Sequence, residues 1–310
     1  MAAVYAVAHT GFGKRAALKL AHRSILGPDF TPSTFLREAR IVHLVDHPGV
    51  PDVFATGTFD ARPYLAMERL SGTTLGDLVD AGPLERGEAV AILLELCDVL
   101  AVSHAAGVVH RDLKLDNVFI QSTPGAGNRR VKLLDWGVAR VLWEDDPLHG
   151  MIAGTLAYVA PEQVLGDEIT PAADVYSLAV LAYYVLLGGP PFSAQTDLEL
   201  VRKHVHEAPP APATLWPEIP AELASILVAM LAKDPARRPS LDAVVGALQG
   251  TRRQLDPPRR GWLAIVPARP PLDVLCRSIP VELQRHRGIG MLLAAIVALA
   301  IVSAAAMITS

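Results

Sequence analysis

His110-Arg111-Asp112-Leu113-Lys114-Leu115-Asp116-Asn117 sets a carboxylate, an ammonium and an amide within six residues, from Asp112 to Asn117. Eighteen residues after Asn117 comes Asp135-Trp136-Gly137, a second carboxylate beside a flexible glycine. Asp112 is placed to accept a hydrogen bond from an incoming hydroxyl and to take its proton late. Lys114 can neutralise a transferring phosphoryl group. Asn117 offers a neutral oxygen to a magnesium ion and Asp135 a charged one, a donor set that suits an ion sharing its shell with substrate phosphates. Such chemistry needs positioning and charge neutralisation more than covalent participation by the protein.

The rest of the chain sets the frame. At 310 residues it is long enough to bury a sizeable core. A formal net charge of -4 gives no basic field for nucleic acid, and none is expected as a partner. Cys97 and Cys276 form neither a disulfide framework nor a zinc spacing, which suits a reducing compartment. The histidines make no metal-ligand pattern. His204 and His206 stand two apart and read as surface residues.

Residues 3–8 and 15–21 read as short strands around the turn Thr10-Gly11-Phe12-Gly13. Pro32 to Val45 reads as a helix capped by Ser33 or Thr34, with Phe35, Ala39 and Val42 on one face. Residues 52–70 suggest two strands broken by Asp60-Ala61-Arg62-Pro63. After Ser71-Gly72 the pattern turns helical: Glu88 to Ala106 is apolar nearly all round, and further helices are expected at 174–187, 197–206 and 221–232. A mainly β segment followed by a mainly α one predicts an α+β protein of two lobes.

The two loops resemble the catalytic and metal loops of the protein kinase family, and the likeness covers residues 1–250. It is nearest to the bacterial serine/threonine kinases of eukaryotic type. The resemblance implies a bilobal kinase-like fold, with an N-lobe at 1–67, a hinge at 68–71 and a C-lobe at 72–250. It implies ATP and Mg2+ as cofactors, with Mn2+ as a substitute, and cytoplasmic proteins with Ser/Thr acceptors as substrates. Ala16-Ala17-Leu18-Lys19 is similar to the strand whose lysine holds the nucleotide α- and β-phosphates, and Glu38 matches its acidic partner. Leu65 to Leu70 is similar to the hinge, so Glu68 and Leu70 would offer main-chain groups to adenine and Met67 would guard the back of the pocket. Val4 and Ala17 would cover the adenine from above and Phe119 from below. Glu162, in Ala160-Pro161-Glu162, would pair with Arg238, and Asp174 would brace the catalytic loop. Lys114 and Gly154-Thr155 favour serine/threonine over tyrosine, with Thr155 bracing Asp112. A membrane-anchored module of the same fold that binds partners without catalysis is the alternative.

Two places depart from the family pattern. Aligning Val4 with the end of G-x-G-x-x-G-x-V puts Ala2 at the third glycine and Met1 in mid-loop, so a true start upstream of Met1 is expected. Gly11-Phe12-Gly13 lies too close to Lys19 to substitute and reads as a hairpin turn. Gly13-Lys14 is no Walker loop, because Ala8 stands where the earlier glycine is required. The second departure is that Val138 to Ala153 contains no Ser, Thr or Tyr, so Arg111 lacks the phosphate that pairs with it in related kinases. Glu144, Asp145 or Asp146 is a candidate to supply that charge, and a solvated acidic turn is the competing reading.

The mean hydropathy of +0.31 is raised by the C-terminus. No residue from Gly288 to Ser310 is charged, and a helix of that length spans about 34 Å against a hydrocarbon core of about 30 Å. A transmembrane helix is expected at 288–310, with Arg285, His286 and Arg287 keeping the kinase domain cytoplasmic at the cell membrane. The first residues show no signal peptide. Prolines and arginines at 251–287 predict a juxtamembrane linker whose arginines could meet anionic lipid heads. A homodimer through the membrane helix would rest on Ala294, Ala298 and Ser303 alone.

Overall fold

The computed structural model describes residues 2–11, 13–22, 33–122, 129–146, 148 and 154–255, without the side chains of 33–36 and 129. The expected transmembrane helix at 288–310 lies outside the described residues. So does the expected linker, apart from its first residues: 251–254 belong to a helix, and Thr251 is buried with its hydroxyl donated to Ala247 O at 2.9 Å. Among the described residues no helix is long and apolar enough to cross a membrane.

The chain divides into two compact units. One holds the described residues up to Ala39 together with Asp52–Leu70; the other holds Arg40–Pro51 and the described residues from Ser71 onward. In the first unit β1 (Ala2–Ala8), β2 (Arg15–Ala21), β3 (Val53–Phe59) and β4 (Arg62–Met67) form an antiparallel sheet in the order β1-β2-β4-β3. The helix α1 runs Ser33–Leu44 and passes from the first unit into the second at Ala39. Ala21, Ala39 and Leu65 are buried together where this helix meets the sheet.

Pro63 was expected to break the strands, but Arg62 and Pro63 lie within β4. The break is confined to Asp60 and Ala61, which take left-handed φ of +51° and +56°, the signature of a tight two-residue hairpin. Pro63 is tolerated because the last β2–β4 pair is Leu20↔Tyr64, so its missing N–H falls beyond the end of the β2–β4 ladder.

The second unit begins with β5 (Gly72–Thr74), α2 (Leu75–Ala81), α3 (Arg86–Ala105) and β6 (Val108–Val109). Three strands follow: β7 (Val118–Ser122), β8 (Arg129–Leu133) and β9 (Arg140–Val141). Then come α4 (Pro161–Leu165), α5 (Ala172–Leu187), α6 (Asp197–His206), α7 (Pro212–Leu215), α8 (Ala221–Met230) and α9 (Leu241–Gln254). The hydrophobic pattern of α3 and α5 runs nearly all round each helix, and both are central: Ile92, Leu93, Leu96 and Leu100 pack with Val175, Leu178, Leu181 and Tyr183 in one core. α2, α6 and α9 start on Thr74, Thr196 and Ser240, whose hydroxyls accept backbone N–H groups of the first turn. The segment read as mainly helical also carries the small sheets β5-β7-β8 and β6-β9. Gly72 lets β5 close on β7, since a Cβ there would stand 2.0 Å from Ile120 O.

His206 is exposed, but His204 is buried, which corrects its reading as a surface residue. A two-residue spacing on a helix sends the side chains to different faces, and here one of those faces is core. Phe192 meets the ring edge-on at 5.1 Å, and Tyr176 Oη lies 3.1 Å from Nδ1. Burial, reinforced by the nearby Lys233 charge, lowers the His204 pKa to about 4. The unfolded chain therefore binds a proton below its ordinary value of 6.5 that the folded chain refuses, and stability falls as pH drops through that window. Chemical denaturation should show about 2 kcal/mol of additional loss between pH 7 and 5 in the wild type relative to His204→Gln. Parallel pH dependences in the two proteins would contradict it.

Candidate active site

The catalytic-loop residues lie in the second unit, between β6 and β7. Asp174, in the first turn of α5 and fully buried, holds this loop by its backbone. Its Oδ2 accepts from His110 N and its Oδ1 from Arg111 N, both at 2.9 Å, while His104 Nε2 lies 2.9 Å from Oδ2. Burial pushes the Asp174 carboxyl up. The hydrogen bond and charge of His104, with the pull of His110, outweigh burial and hold it below the usual carboxylate range. His110 packs edge-on against Trp136 at 4.6 Å, with its Nε2 3.0 Å from Leu134 O. Arg111 takes a left-handed φ of +69°, and Gln163 Nε2 donates to its carbonyl at 3.1 Å.

This anchoring presents Asp112 with both carboxylate oxygens engaged. Thr155 Oγ1 donates to Oδ1 at 2.9 Å; Asn117 Nδ2 donates to Oδ2 at 3.0 Å; Lys114 Nζ stands 2.9 Å from Oδ2. Lys114 Nζ also donates to Thr155 Oγ1 at 2.8 Å, so Thr155 bridges the Asp112 carboxylate and the Lys114 ammonium. Gly154 permits this approach with φ +103°: a Cβ there would lie 2.7 Å from Arg111 O.

Asn117 Nδ2 also donates to Asp112 O at 2.8 Å, which fixes the orientation of the amide and leaves Oδ1 as its acceptor for a cation. Leu134 N donates to Asn117 O at 2.7 Å, tying the residue before Asp135 to the same loop. Asp135 is exposed and has φ +60°. Among the described residues no cluster of three or more His, Cys, Asp or Glu gathers for a metal. A neutral amide oxygen and a carboxylate are instead a fitting partial shell for Mg2+ completed by phosphates and water. Phe119, half-buried on β7, lines the same sheet as Gly72.

In the first unit, Lys19 on β2 donates to both oxygens of Glu38 on α1, at 2.8 and 2.9 Å. Register puts Val4, Ala17 and Met67 on the face that carries Lys19. Val4 pairs with Lys19 and Ala17 with Met67, and Ala17 and Lys19 are two apart on one strand. Residues 68–71 connect β4 to β5, and Glu68 N donates to Asp52 O at 2.8 Å. Leu70 is half-buried in this connection.

Of the three candidate acids near Arg111, the structure selects Asp146: Arg111 Nη1 donates to its Oδ1 at 3.0 Å, Nη2 meets Oδ2, and Arg140 lies 3.7 Å away. Glu144 pairs with Arg40 of α1, and Asp145 is exposed. His104 and Gln163 support the loop without having been singled out. They lie in regular helical patterns and reach the loop across many residues, so no local signal marks them. Glu162 and Arg238 form a two-pronged pair at 2.6 and 2.7 Å.

These features match a known class. The protein kinase domain family model matches residues 1–247, and the chain belongs to that family. Among curated proteins it is similar to the serine/threonine-protein kinase Pkn1 of Myxococcus xanthus, at 38% identity over 252 residues, covering 80% of this chain and 36% of that protein. It is similar to PknA of Mycobacterium tuberculosis at 33% identity over 286 residues, 86% of this chain and 64% of that protein. PknB of Mycobacterium leprae is 34% identical over 211 residues, 66% of this chain and 33% of that protein. The chain thus falls among the bacterial serine/threonine kinases of eukaryotic type, while spanning about a third of the length of several of these relatives.

Proposed function

We propose that the protein transfers the γ-phosphoryl group of ATP to Ser or Thr hydroxyls of cytoplasmic proteins, as a kinase tethered to the membrane by residues 288–310. The observation that carries the transfer is the Asp112 carboxylate held by Thr155, Asn117 and Lys114 beside a metal-competent amide. Asp112 accepts the hydrogen bond of the substrate hydroxyl, aligns its oxygen and takes its proton as the new bond forms. Lys114 faces the charge that grows on the transferring group. Lys19, fixed by Glu38, holds the nucleotide phosphates. Val4, Ala17, Met67 and Phe119 give adenine apolar surfaces, and Glu68 and Leu70 give it main-chain groups. Asn117 and Asp135 hold Mg2+, which neutralises phosphate charge when bound.

The tether is supported by the uncharged run from Gly288 to Ser310 and the basic residues before it. Transfer from labelled ATP to casein, compared among wild type, Asp112→Ala and Lys19→Ala, tests the enzyme reading. Both variants should lose transfer, Lys19→Ala through weaker use of ATP. Transfer persisting in both would reject an enzyme and leave a binding module. Membrane association that survives deletion of 288–310 would reject the tether.

A further inference from the structure

Resting on that reading, we propose that Asp146 is a positioning residue for phosphoryl transfer: its carboxylate takes the place of a phosphate on Arg111 and holds the catalytic loop ready without phosphorylation of residues 138–153. Arg111 and Asp146 meet side-on through two hydrogen bonds, and their side chains are only 3% and 6% exposed. The planar fork of a guanidinium matches the two oxygens of a carboxylate as it matches those of a phosphate. Arg140 approaches the same carboxylate at 3.7 Å from β9, and β9 pairs with β6, the strand that leads into the catalytic loop.

Two guanidiniums therefore converge on one carboxylate. Arg111 Nε and Arg140 Nε are buried with no hydrogen-bond partner among the described residues. A site so rich in positive charge requires an anion, and Val138 to Ala153 holds no hydroxyl that could be phosphorylated. Thr155, the next hydroxyl, is engaged by Asp112 and Lys114. Burial raises the Asp146 carboxyl, but the hydrogen bond and charge of Arg111, joined by Arg140, hold it below the usual range, so it stays charged at neutral pH.

The link to chemistry is short. Arg111 precedes the proposed base, and its main chain is fixed by Asp174 and Gln163. Asp146 fixes its other end. Removing the carboxylate leaves a buried guanidinium uncompensated in a residue with φ +69°, and that strain is relieved by moving the loop that carries Asp112.

The test measures kcat and KM for ATP with casein as acceptor. It uses wild type before and after treatment with a broad-specificity protein phosphatase, with removal of phosphate checked by mass spectrometry. Phosphatase-treated wild type should keep its kcat within about twofold. Asp146→Asn should lower kcat by about tenfold with KM for ATP little changed, and Asp146→Glu should restore most of it. In an Arg111→Ala background, Asp146→Asn should add no further loss.

Loss of most activity on phosphatase treatment would overturn the inference, and this arm decides even where Asp146→Asn fails to fold. So would wild-type kcat in Asp146→Asn while Asp112→Asn is inactive, an outcome that leaves the kinase reading standing. Equal transfer by wild type and Asp112→Asn would remove the kinase reading and this inference with it.

Discussion

Asp112→Asn should lower kcat by about 10³-fold while leaving the fold and the KM for ATP nearly unchanged. The amide has the shape of the carboxylate and can still accept from Thr155 Oγ1 through its oxygen. It cannot take a proton, and it removes the negative partner 2.9 Å from Lys114 Nζ. Lys114 is then free to turn towards its remaining acceptor, Thr155. The loss therefore falls on the chemical step. The nucleotide-holding role assigned to Lys19 and Glu38 lies on β2 and α1 and is untouched by the change. Steady-state kinetics with casein, with thermal unfolding as the control for structure, provide the check. A decrease of less than about tenfold would place the proton acceptor elsewhere.

Glu162→Ala should destabilise the protein by about 3–5 kcal/mol. The Arg238 guanidinium is fully buried and spends its donors on Glu162, Ala232 O, Ala172 O and Lys233 O. Among the described residues its charge has one carboxylate partner in contact, and deleting that partner strands a cation in the interior. The same pair on a surface would be worth under about 1 kcal/mol, so the magnitude reports burial. For a domain of this size the loss corresponds to a fall in Tm of about 10 °C. Denaturant titration at pH 7 measures the effect directly. A change below about 1 kcal/mol would show that water reaches Arg238 once Glu162 is gone.

The part of the site carried by adjacent residues was legible in the sequence. Asp112, Lys114 and Asn117 sit on one short loop, so their spacing alone forces them together, and the structure shows all three in mutual contact. The face shared by Val4, Ala17, Lys19 and Met67 follows from strand alternation once the register is known. The acidic run Glu144-Asp145-Asp146 pointed to Arg111 without saying which acid reaches it. That choice depends on the turn after β9, where each carboxylate leaves in a different direction.

Other features were out of reach because nothing local encodes them. His204 has the same polar neighbours as an exposed histidine, yet Phe192 and Tyr176 close over it from distant segments. The strands β5, β7 and β8 are short, and β7 and β8 alternate too weakly to stand out beside the helices around them. Pro63 shows the reverse error: a residue that ordinarily ends strands is accommodated at a position where the pairing with β2 has already ended.

The central claim is transfer of the γ-phosphoryl group to a Ser or Thr oxygen by the loop around Asp112. Mass spectrometry of casein incubated with ATP labelled by heavy oxygen on its γ-phosphate measures that event and its acceptor together. The expected result is labelled phosphate on Ser and Thr with the wild type and none with Asp112→Asn. Absence of label with the wild type, label on Tyr alone, or equal label with both proteins would contradict the account.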